Sequence, residues 1–270
     1  MLRRLSDLLH SLSFRSALCR AGMCLVVCLA APHVFADDFY VDAYYGCDET
    51  GDGSQENPWQ HLQYALDAIE GTEENPHTVH LAKGIYQRVD DIGSGIKPGD
   101  YITIIGECAN ETRIPLLWLV RITGFSISNV SIGFLCTGAI FDANIQNCSF
   151  SSAQDMLVSA EASDLRFVNC CFSKVGYVFD IWNSSITVKN SIFTQYNQMV
   201  HPSSTSDPFI MYSLVRYFHS PGVGNIITKF PRFVQPDAFD YRLRADSPAI
   251  DRGDPSDPVP PGGGSRIDMG

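Results

Sequence analysis

The sequence predicts an all-β protein: a right-handed, single-stranded parallel β-helix, which is a solenoid with coils of about 22 residues. The first observation is a repeat of asparagines, in which Asn169 follows Asn147 by 22 residues and Asn190 follows Asn169 by 21. The repeat continues to Tyr212, 22 residues later, and starts at Asn129, 18 residues before Asn147. The second observation is a period-2 alternation of apolar residues around these positions, which is typical of short strands. Parallel connections favour the right-handed crossover.

Apolar residues stand at fixed distances from the asparagine position, and we expect them to stack inward from coil to coil. Asparagine suits the bend, because it tolerates left-handed backbone and its amides can hydrogen-bond in a ladder. A β-sandwich with chance periodicity is the alternative. The apolar positions are Ile127, Ile145, Phe167, Val188 and Ile210, two residues before the asparagine position; Ile132, Phe150, Phe172, Phe193 and Val215, three after it; and Leu135, Leu157, Val178 and Val200, twelve before it.

Residues 1–36 have the pattern of an export signal. A leader with four arginines precedes an apolar core from Met23 to Ala31, and a small-residue cleavage site precedes Asp37. The apolar run is too short to cross a bilayer, so we expect no membrane span. The sequence therefore predicts a secreted, periplasmic or cell-surface protein.

The charge of the chain excludes two classes of partner. The whole chain has a net charge of −11, and removing residues 1–36 leaves 15 basic and 29 acidic residues, a net charge of −14. An acidic chain of this kind argues against binding to nucleic acid or to anionic membranes.

The N-terminal segment is predicted to be a cap that ends in a helix. Asn57 to Ile69 has the pattern of an amphipathic helix, with Asn57 as the N-cap and Pro58 in the first turn. We expect this helix to lie across the first coil and to block association through its open edge. The predicted segments are the signal peptide at 1–36, the cap and first coil at 37–100, the β-helix repeats at 101–220, and a closing segment with a flexible tail at 221–270.

Six cysteines follow the predicted cleavage site, and export permits disulfides among them. Cys148 and Cys170 occupy the same inward position on successive coils, where cysteine packs as a small apolar residue. A disulfide between Cys47 and Cys108, joining the cap to the first coils, is a weaker alternative. The spacing of cysteines and histidines does not resemble a zinc site.

An acidic, glycine-containing loop follows the first predicted strand. Its carboxylates, from Asp48, Glu49, Asp52 and Glu56, are oxygen ligands of the kind that Ca²⁺ prefers. The alternating aspartates of a strong calcium loop are missing. We therefore expect no cofactor, with Ca²⁺ at this loop as the alternative.

Two sets of short motifs give the sequence a family resemblance. They resemble the opening and the closing segments of secreted bacterial right-handed β-helix proteins of the pectate-lyase-like superfamily. The resemblance implies the fold and export, whereas one fold hosts many functions. The opening motifs are Tyr40-Val-Asp, Gly51-Asp-Gly-Ser, Asn57-Pro-Trp and Gly84-Ile-Tyr, and the closing ones are Asp240-Tyr-Arg-Leu, Ser247-Pro-Ala-Ile-Asp-Arg-Gly253 and Arg266-Ile-Asp-Met-Gly270.

The resemblance implies two kinds of catalytic site. Lyases of the superfamily use carboxylates that hold calcium and a basic residue as the base, and hydrolases use paired aspartates. Asp142 and Asp164 each stand five residues before their asparagine, so stacking would bring them about one strand spacing apart, with Arg166 beside them. The alternative is that both aspartates are solvated bend residues. His201 is interpreted as a turn residue, with a catalytic base as its alternative.

An unusually apolar outward face is predicted beside the stack that contains Leu135 and Val178. Four aromatic residues on or near it, Phe134, Tyr177, Phe179 and Trp182, are candidates for stacking on sugar rings. The favoured interpretation is that a loop or the proline-rich C-terminal segment lies over this face, and a face that binds sugar or another chain is the alternative.

Three functional classes stay open at the level of sequence. The first is a non-catalytic secreted or cell-surface module that binds carbohydrate, with an extracellular polysaccharide as its partner. The second is a polysaccharide lyase or glycoside hydrolase acting on an extracellular polysaccharide. The third is a self-associating structural component of the envelope. The sequence does not predict which sugar is bound or which oligomer forms.

Overall fold

The computed structural model describes most of the chain after the predicted export signal, and residues 1–36 lie outside the described part. The described residues belong to one compact unit. The described residues are 37–88, 94–151, 155–216, 222–228, 230–238 and 240–270.

The described residues wind into a parallel β-solenoid with two large sheets, which confirms the predicted parallel β-helix. Each coil adds one strand to the first sheet. Within the described chain this sheet has eight strands: β1 (Asp38–Val41), β2 (His77–Leu81), β4 (Ile102–Gly106), β6 (Thr123–Ser128), β8 (Phe141–Gln146), β11 (Asp164–Val168), β14 (Ser185–Lys189) and β17 (Phe209–Met211).

The second sheet receives one long strand, or a short strand followed by a longer one, from each central coil, and a short strand alone from the coils at both ends. Its strands pair in parallel with their counterparts in the neighbouring coils. Within the described chain they are β3 (Gly84–Ile85), β5 (Thr112–Val120), β7 (Ser131–Gly138), β9 (Ser149–Ser151), β10 (Met156–Glu161), β12 (Cys171–Ser173), β13 (Val175–Trp182), β15 (Ile192–Phe193), β16 (Tyr196–Val200), β18 (Leu214–Val215) and β19 (Ile226–Ile227).

Two of the three predicted apolar stacks have the predicted register. Phe167 pairs with Ile145 on one side and with Val188 on the other, and all three side chains are fully buried. In the second stack, the ring of Phe172 lies 4.9 Å from that of Phe150 and 4.7 Å from that of Phe193. Stacked aromatic rings of this kind supply much of the apolar area that the solenoid buries.

The third stack is wrong by one residue in two coils. Leu135 pairs with Val158, and Val158 pairs with Phe179, where the sequence predicted Leu157 and Val178. The physical reason is that only 11 residues, and not 12, separate this strand from the asparagine bend in those two coils. Leu157 and Val178 are nevertheless fully buried, as predicted, so each of these two strands buries two consecutive side chains.

The asparagine bends have the left-handed backbone that the sequence predicts. The φ angles of Asn147, Asn169 and Asn190 are 49°, 53° and 50°. The Asn169 amide donates to Asn147 Oδ1 over 3.4 Å. Asn190 bonds differently, because its amide donates to Asp257 Oδ2 over 2.7 Å and its Oδ1 accepts from the Asp254 N–H over 2.6 Å.

Helix α1 (Leu62–Ala68) is the predicted cap helix, but it is shorter than predicted. Its N-cap is His61, which makes no capping bond with its side chain. The sequence placed the start at Asn57, whose amide instead donates to the carbonyl of Thr50 over 2.7 Å. Trp59 then bridges to β1, so the residues before the helix extend the first sheet. Four side chains of the helix are buried: Leu62, Gln63, Ala65 and Leu66.

The C-terminal segment folds back onto the outside of the second sheet. It contains an antiparallel hairpin of β20 (Phe233–Gln235) and β21 (Asp240–Leu243), joined by a 3-10 turn at Pro236–Ala238. Met269 is fully buried, and the N–H of Gly270 donates to the carbonyl of Asn190 over 2.6 Å. The predicted flexible tail is therefore exposed around residues 260–265 and packed at its end.

The described cysteines are free thiols, including Cys47 and Cys108, so the alternative of a disulfide between these two is wrong. Cys148 and Cys170 are buried at the same position of successive coils, where each thiol contacts the carbonyl two residues before it. Burial raises the pKa of Cys148 to about 12. In the described part of the chain, no helix has the length and apolarity needed to cross a membrane.

Candidate functional site

A polar and aromatic cluster lies on the outside of the second sheet, where β13 and β16 meet the turn after β16. We call this cluster the open face and define it by Tyr177, Asp180, Trp182, His201 and Ser203. Asp180 points outward because the residues on both sides of it, Phe179 and Ile181, are fully buried and strand side chains alternate.

Asp180 organises the open face through one carboxylate oxygen. Its Oδ1 accepts hydrogen bonds from the Trp182 indole over 3.1 Å and from the Ser204 hydroxyl over 3.0 Å. The Ser203 hydroxyl is 3.4 Å from the same oxygen. The indole is therefore fixed in orientation by Asp180, although 39% of Trp182 stays exposed to solvent.

His201 extends the cluster through its Nδ1 atom, and the contacts of this atom assign the tautomer. The Ser203 N–H donates to His201 Nδ1 over 3.2 Å, and the Ser203 hydroxyl oxygen is 2.5 Å from the same nitrogen. Because Nδ1 accepts, the proton of the neutral ring is on Nε2. The ring of Tyr177 packs edge-on against the imidazole, with 4.6 Å between the ring centroids.

The open face contains serine, histidine and aspartate, but it lacks the arrangement of a hydrolytic triad. In a triad the serine and the aspartate contact opposite nitrogens of the imidazole. Here both approach His201 Nδ1, with Ser203 Oγ at 2.5 Å and Asp180 Oδ1 at 3.9 Å. The geometry suits hydrogen bonding to a ligand rather than activation of the serine.

The four residues predicted to stack on sugar rings do not lie on one surface. Tyr177 and Trp182 lie on the open face, and Phe134 is half-buried on β7, two coils earlier. Phe179 is a wrong prediction, because it is fully buried and its ring lies 5.4 Å from that of Phe172 in the core. The one-residue difference in register turns this side chain inward.

The three predicted catalytic residues lie on the outside of the first sheet. Asp164 begins β11, which pairs with β8 so that Leu165 lies opposite Ala143. Arg166 Nη1 is 4.0 Å from Asp142 Oδ1, and both side chains are mostly exposed, at 60% and 75%. An exposed pair at this distance contributes little to stability.

The sequence predicts neither Asp180 nor Ser203 as a site residue, because no motif marks them. For His201 it favours a turn residue, with a catalytic base as the alternative. A usable signal is that His201 follows Asp180 by 21 residues, the same interval that relates Val200 to Phe179. The coil repeat therefore places Asp180 and His201 side by side.

In the acidic loop of the cap, the Asp48 carboxylate binds the start of the helix. Asp48 Oδ1 accepts the N–H groups of Gln60 and His61, and its Oδ2 is 2.5 Å from His61 Nδ1. Partial burial acts to raise the pKa of Asp48, but these hydrogen bonds hold it below its usual value. Among the described residues, no three His, Cys, Asp or Glu side chains group as ligands of a metal ion.

No protein-family model matches the sequence, and no curated protein is significantly similar to it. The fold is similar to the crystal structure of a pectin methylesterase from Aspergillus niger, with a TM-score of 0.37 and 12% sequence identity. The similarity covers 74% of this chain and 85% of the esterase.

Proposed function

We propose that this protein is an exported carbohydrate-binding module, secreted or held at the cell surface, that binds an extracellular polysaccharide on the open face. The observation that carries the proposal is Trp182, a partly exposed indole whose orientation is fixed by Asp180. Binding sites combine such an apolar surface with a few polar groups in fixed positions. Export rests on the predicted signal peptide.

The open face supplies both parts of a sugar site. The flat indole offers a surface on which the apolar face of a pyranose ring can stack. The hydrogen bonds described above go to Asp180 Oδ1, and the second carboxylate oxygen is an acceptor for sugar hydroxyls. His201 Nε2–H is a donor on the same face. A sugar hydroxyl can therefore donate to the Asp180 carboxylate or accept from the His201 imidazole.

A glycan array followed by titration calorimetry tests this proposal. We expect the purified protein to bind one class of oligosaccharide without releasing products. Trp182→Ala should weaken binding about tenfold or more, because removing a central aromatic anchor costs about 2 kcal/mol. Phe209→Ala, an exposed aromatic on another strand, is the matched control and should leave the affinity unchanged. Equal affinity in wild type and Trp182→Ala contradicts the proposal.

The second candidate function is a polysaccharide lyase or glycoside hydrolase with Asp142, Asp164 and Arg166 as its catalytic residues. It is favoured by the approach of Arg166 to Asp142 across neighbouring coils of the first sheet. Release of products from pectic, alginate-like or neutral glycans, with loss in Asp142→Asn and Asp164→Asn, would support it. Binding without product formation supports the module instead.

A further inference from the structure

A separate cavity of about 560 Å³ lies between the end of the solenoid and the C-terminal hairpin. It shares no lining residue with the open face. Gln195 lines it from the turn before β16, and Arg216 from the residue after β18. Phe230 and Arg232 line it from the chain that leads into β20, and Phe233 from the first position of β20. Its volume is in the range of cavities that bind small organic molecules.

The charged side chains that line this cavity are both arginines, although the chain as a whole is acidic. Arg216 is held in place by a hydrogen bond of 3.1 Å from Nη1 to the carbonyl of Tyr196. Arg232 Nη1 lies 2.6 Å from Asp246 Oδ2, and Asp246 Oδ1 is also 3.6 Å from Arg244 Nε. One carboxylate is thus shared between Arg232, which lines the cavity, and Arg244.

The remaining walls of the cavity combine two polar side chains, Thr194 and Gln195, with prolines and two phenylalanines, of which Phe230 is unusually exposed. Phe230 is 70% exposed at the cavity, whereas Phe233 is 7% exposed and packs in the C-terminal apolar cluster. An aromatic ring left this open is not part of the core. It offers a face for a ring-shaped ligand beside the two arginines.

We infer that this cavity is a second binding site, specific for a small carboxylate carried on a ring. The planar guanidinium groups of Arg216 and Arg232 suit a carboxylate, which arginine can bind through two parallel hydrogen bonds. The ring of Phe230 would pack on one face of the ligand ring that carries the carboxylate. A sugar acid and an aromatic acid share this chemistry, and two probes distinguish them.

Titration calorimetry with benzoate and with glucuronate tests the site, with benzyl alcohol and methyl glucoside as neutral counterparts. We expect saturable binding of at least one carboxylate, stronger than that of its neutral counterpart and weakened by added salt. Binding of glucuronate alone identifies a sugar-acid site, and binding of benzoate alone an aromatic-acid site. No saturable binding of either carboxylate at tens of millimolar overturns the inference.

Variants then locate the site. Arg232→Gln, at an exposed side chain, should weaken carboxylate binding about tenfold or more, and Phe230→Ala should weaken it as well. Arg252→Gln, an exposed arginine outside the cavity, is the matched control. Unchanged affinity in Arg232→Gln overturns the inference. Trp182→Ala should not affect these probes, so this test and that of the open face can fail separately.

Discussion

The outer side of the second sheet has two regions that differ in chemistry and in exposure. The outward residues of the short strands, Cys171, Ile192 and Leu214, are apolar and buried under the C-terminal segment, and we call them the covered face. The open face lies on the longer strands of the same coils and carries Asp180 and Trp182. The C-terminal segment thus covers the apolar residues of the short strands, whereas Trp182, beside Asp180 on the longer strands, stays partly exposed, as the proposed sugar site requires.

The covered face is held by apolar contacts and by charge. Met269 packs with Ile192 and Leu214 in one buried cluster. Beside the cluster, Lys189 Nζ is 2.6 Å from Asp257 Oδ1 and 3.4 Å from Asp254 Oδ2. These side chains are largely shielded from solvent, so their pairing is screened less than that of an exposed pair. The end of the chain therefore acts as a structural part of the solenoid.

The largest loss of folding stability is expected from a substitution in the core beneath both faces. Phe172→Ala removes the middle ring of the stack with Phe150 and Phe193, and the free energy of unfolding should fall by about 3–5 kcal/mol. Urea denaturation followed by fluorescence measures it. Phe209→Ala, an exposed phenylalanine, should change it by less than about 0.5 kcal/mol. A loss below about 1 kcal/mol in Phe172→Ala would contradict the stacked core.

Met269→Ala breaks the covered face alone. The side chain is fully buried, so we expect a loss of about 2–4 kcal/mol in the free energy of unfolding. The C-terminal segment should also become more sensitive to limited proteolysis, because fewer contacts hold it. Val259→Ala, in an exposed part of the same segment, should change neither measurement. Equal proteolysis of wild type and Met269→Ala would show that the segment is held elsewhere.

A smaller loss of folding stability should appear at acidic pH. Hydrogen bonds from Ser256 and the neighbouring Lys189 hold the pKa of Asp254 below its usual value, although burial acts in the opposite direction. A carboxylate with a lowered folded-state pKa stabilises fully above about pH 4, and this stabilisation is lost as the pH falls through the folded-state pKa.

Thermal melts between pH 7 and pH 2 measure this dependence. Asp254→Asn should lower Tm at pH 7 and flatten its fall in acid, because the variant has no carboxylate to protonate at this position. Asp207→Asn, at an exposed residue, is the matched control and should keep the wild-type profile. An identical acid profile in wild type and Asp254→Asn would contradict a role for this carboxylate.

The smallest effect on stability is expected on the open face. Trp182→Ala should change the free energy of unfolding by less than about 0.5 kcal/mol, because the side chain is partly exposed and lies outside the core. The same variant should weaken sugar binding about tenfold or more. A fall in stability comparable to that of Met269→Ala would show that the two faces do not differ as described.

The sequence by itself determined the solenoid, its left-handed bends and two of its inward stacks. These features repeat at a nearly fixed interval, so the pattern of one coil predicts the pattern of the next. The buried positions of Phe167 and Phe172 and the positive φ of Asn147 follow from that local pattern. Nothing beyond neighbouring coils is needed to place them.

Only the tertiary structure decided the parts that depend on distant or competing contacts. Phe179 faces inward because two coils are one residue shorter at a turn, which periodic counting does not register. Asn57 bonds Thr50, so the helix begins later, and Asn190 bonds Asp257, which follows it by 67 residues. The open face forms because coiling brings His201 and Asp180 together. A local pattern predicts where the backbone turns, whereas the partner of a polar side chain is selected by whichever segment the finished fold brings within hydrogen-bond distance.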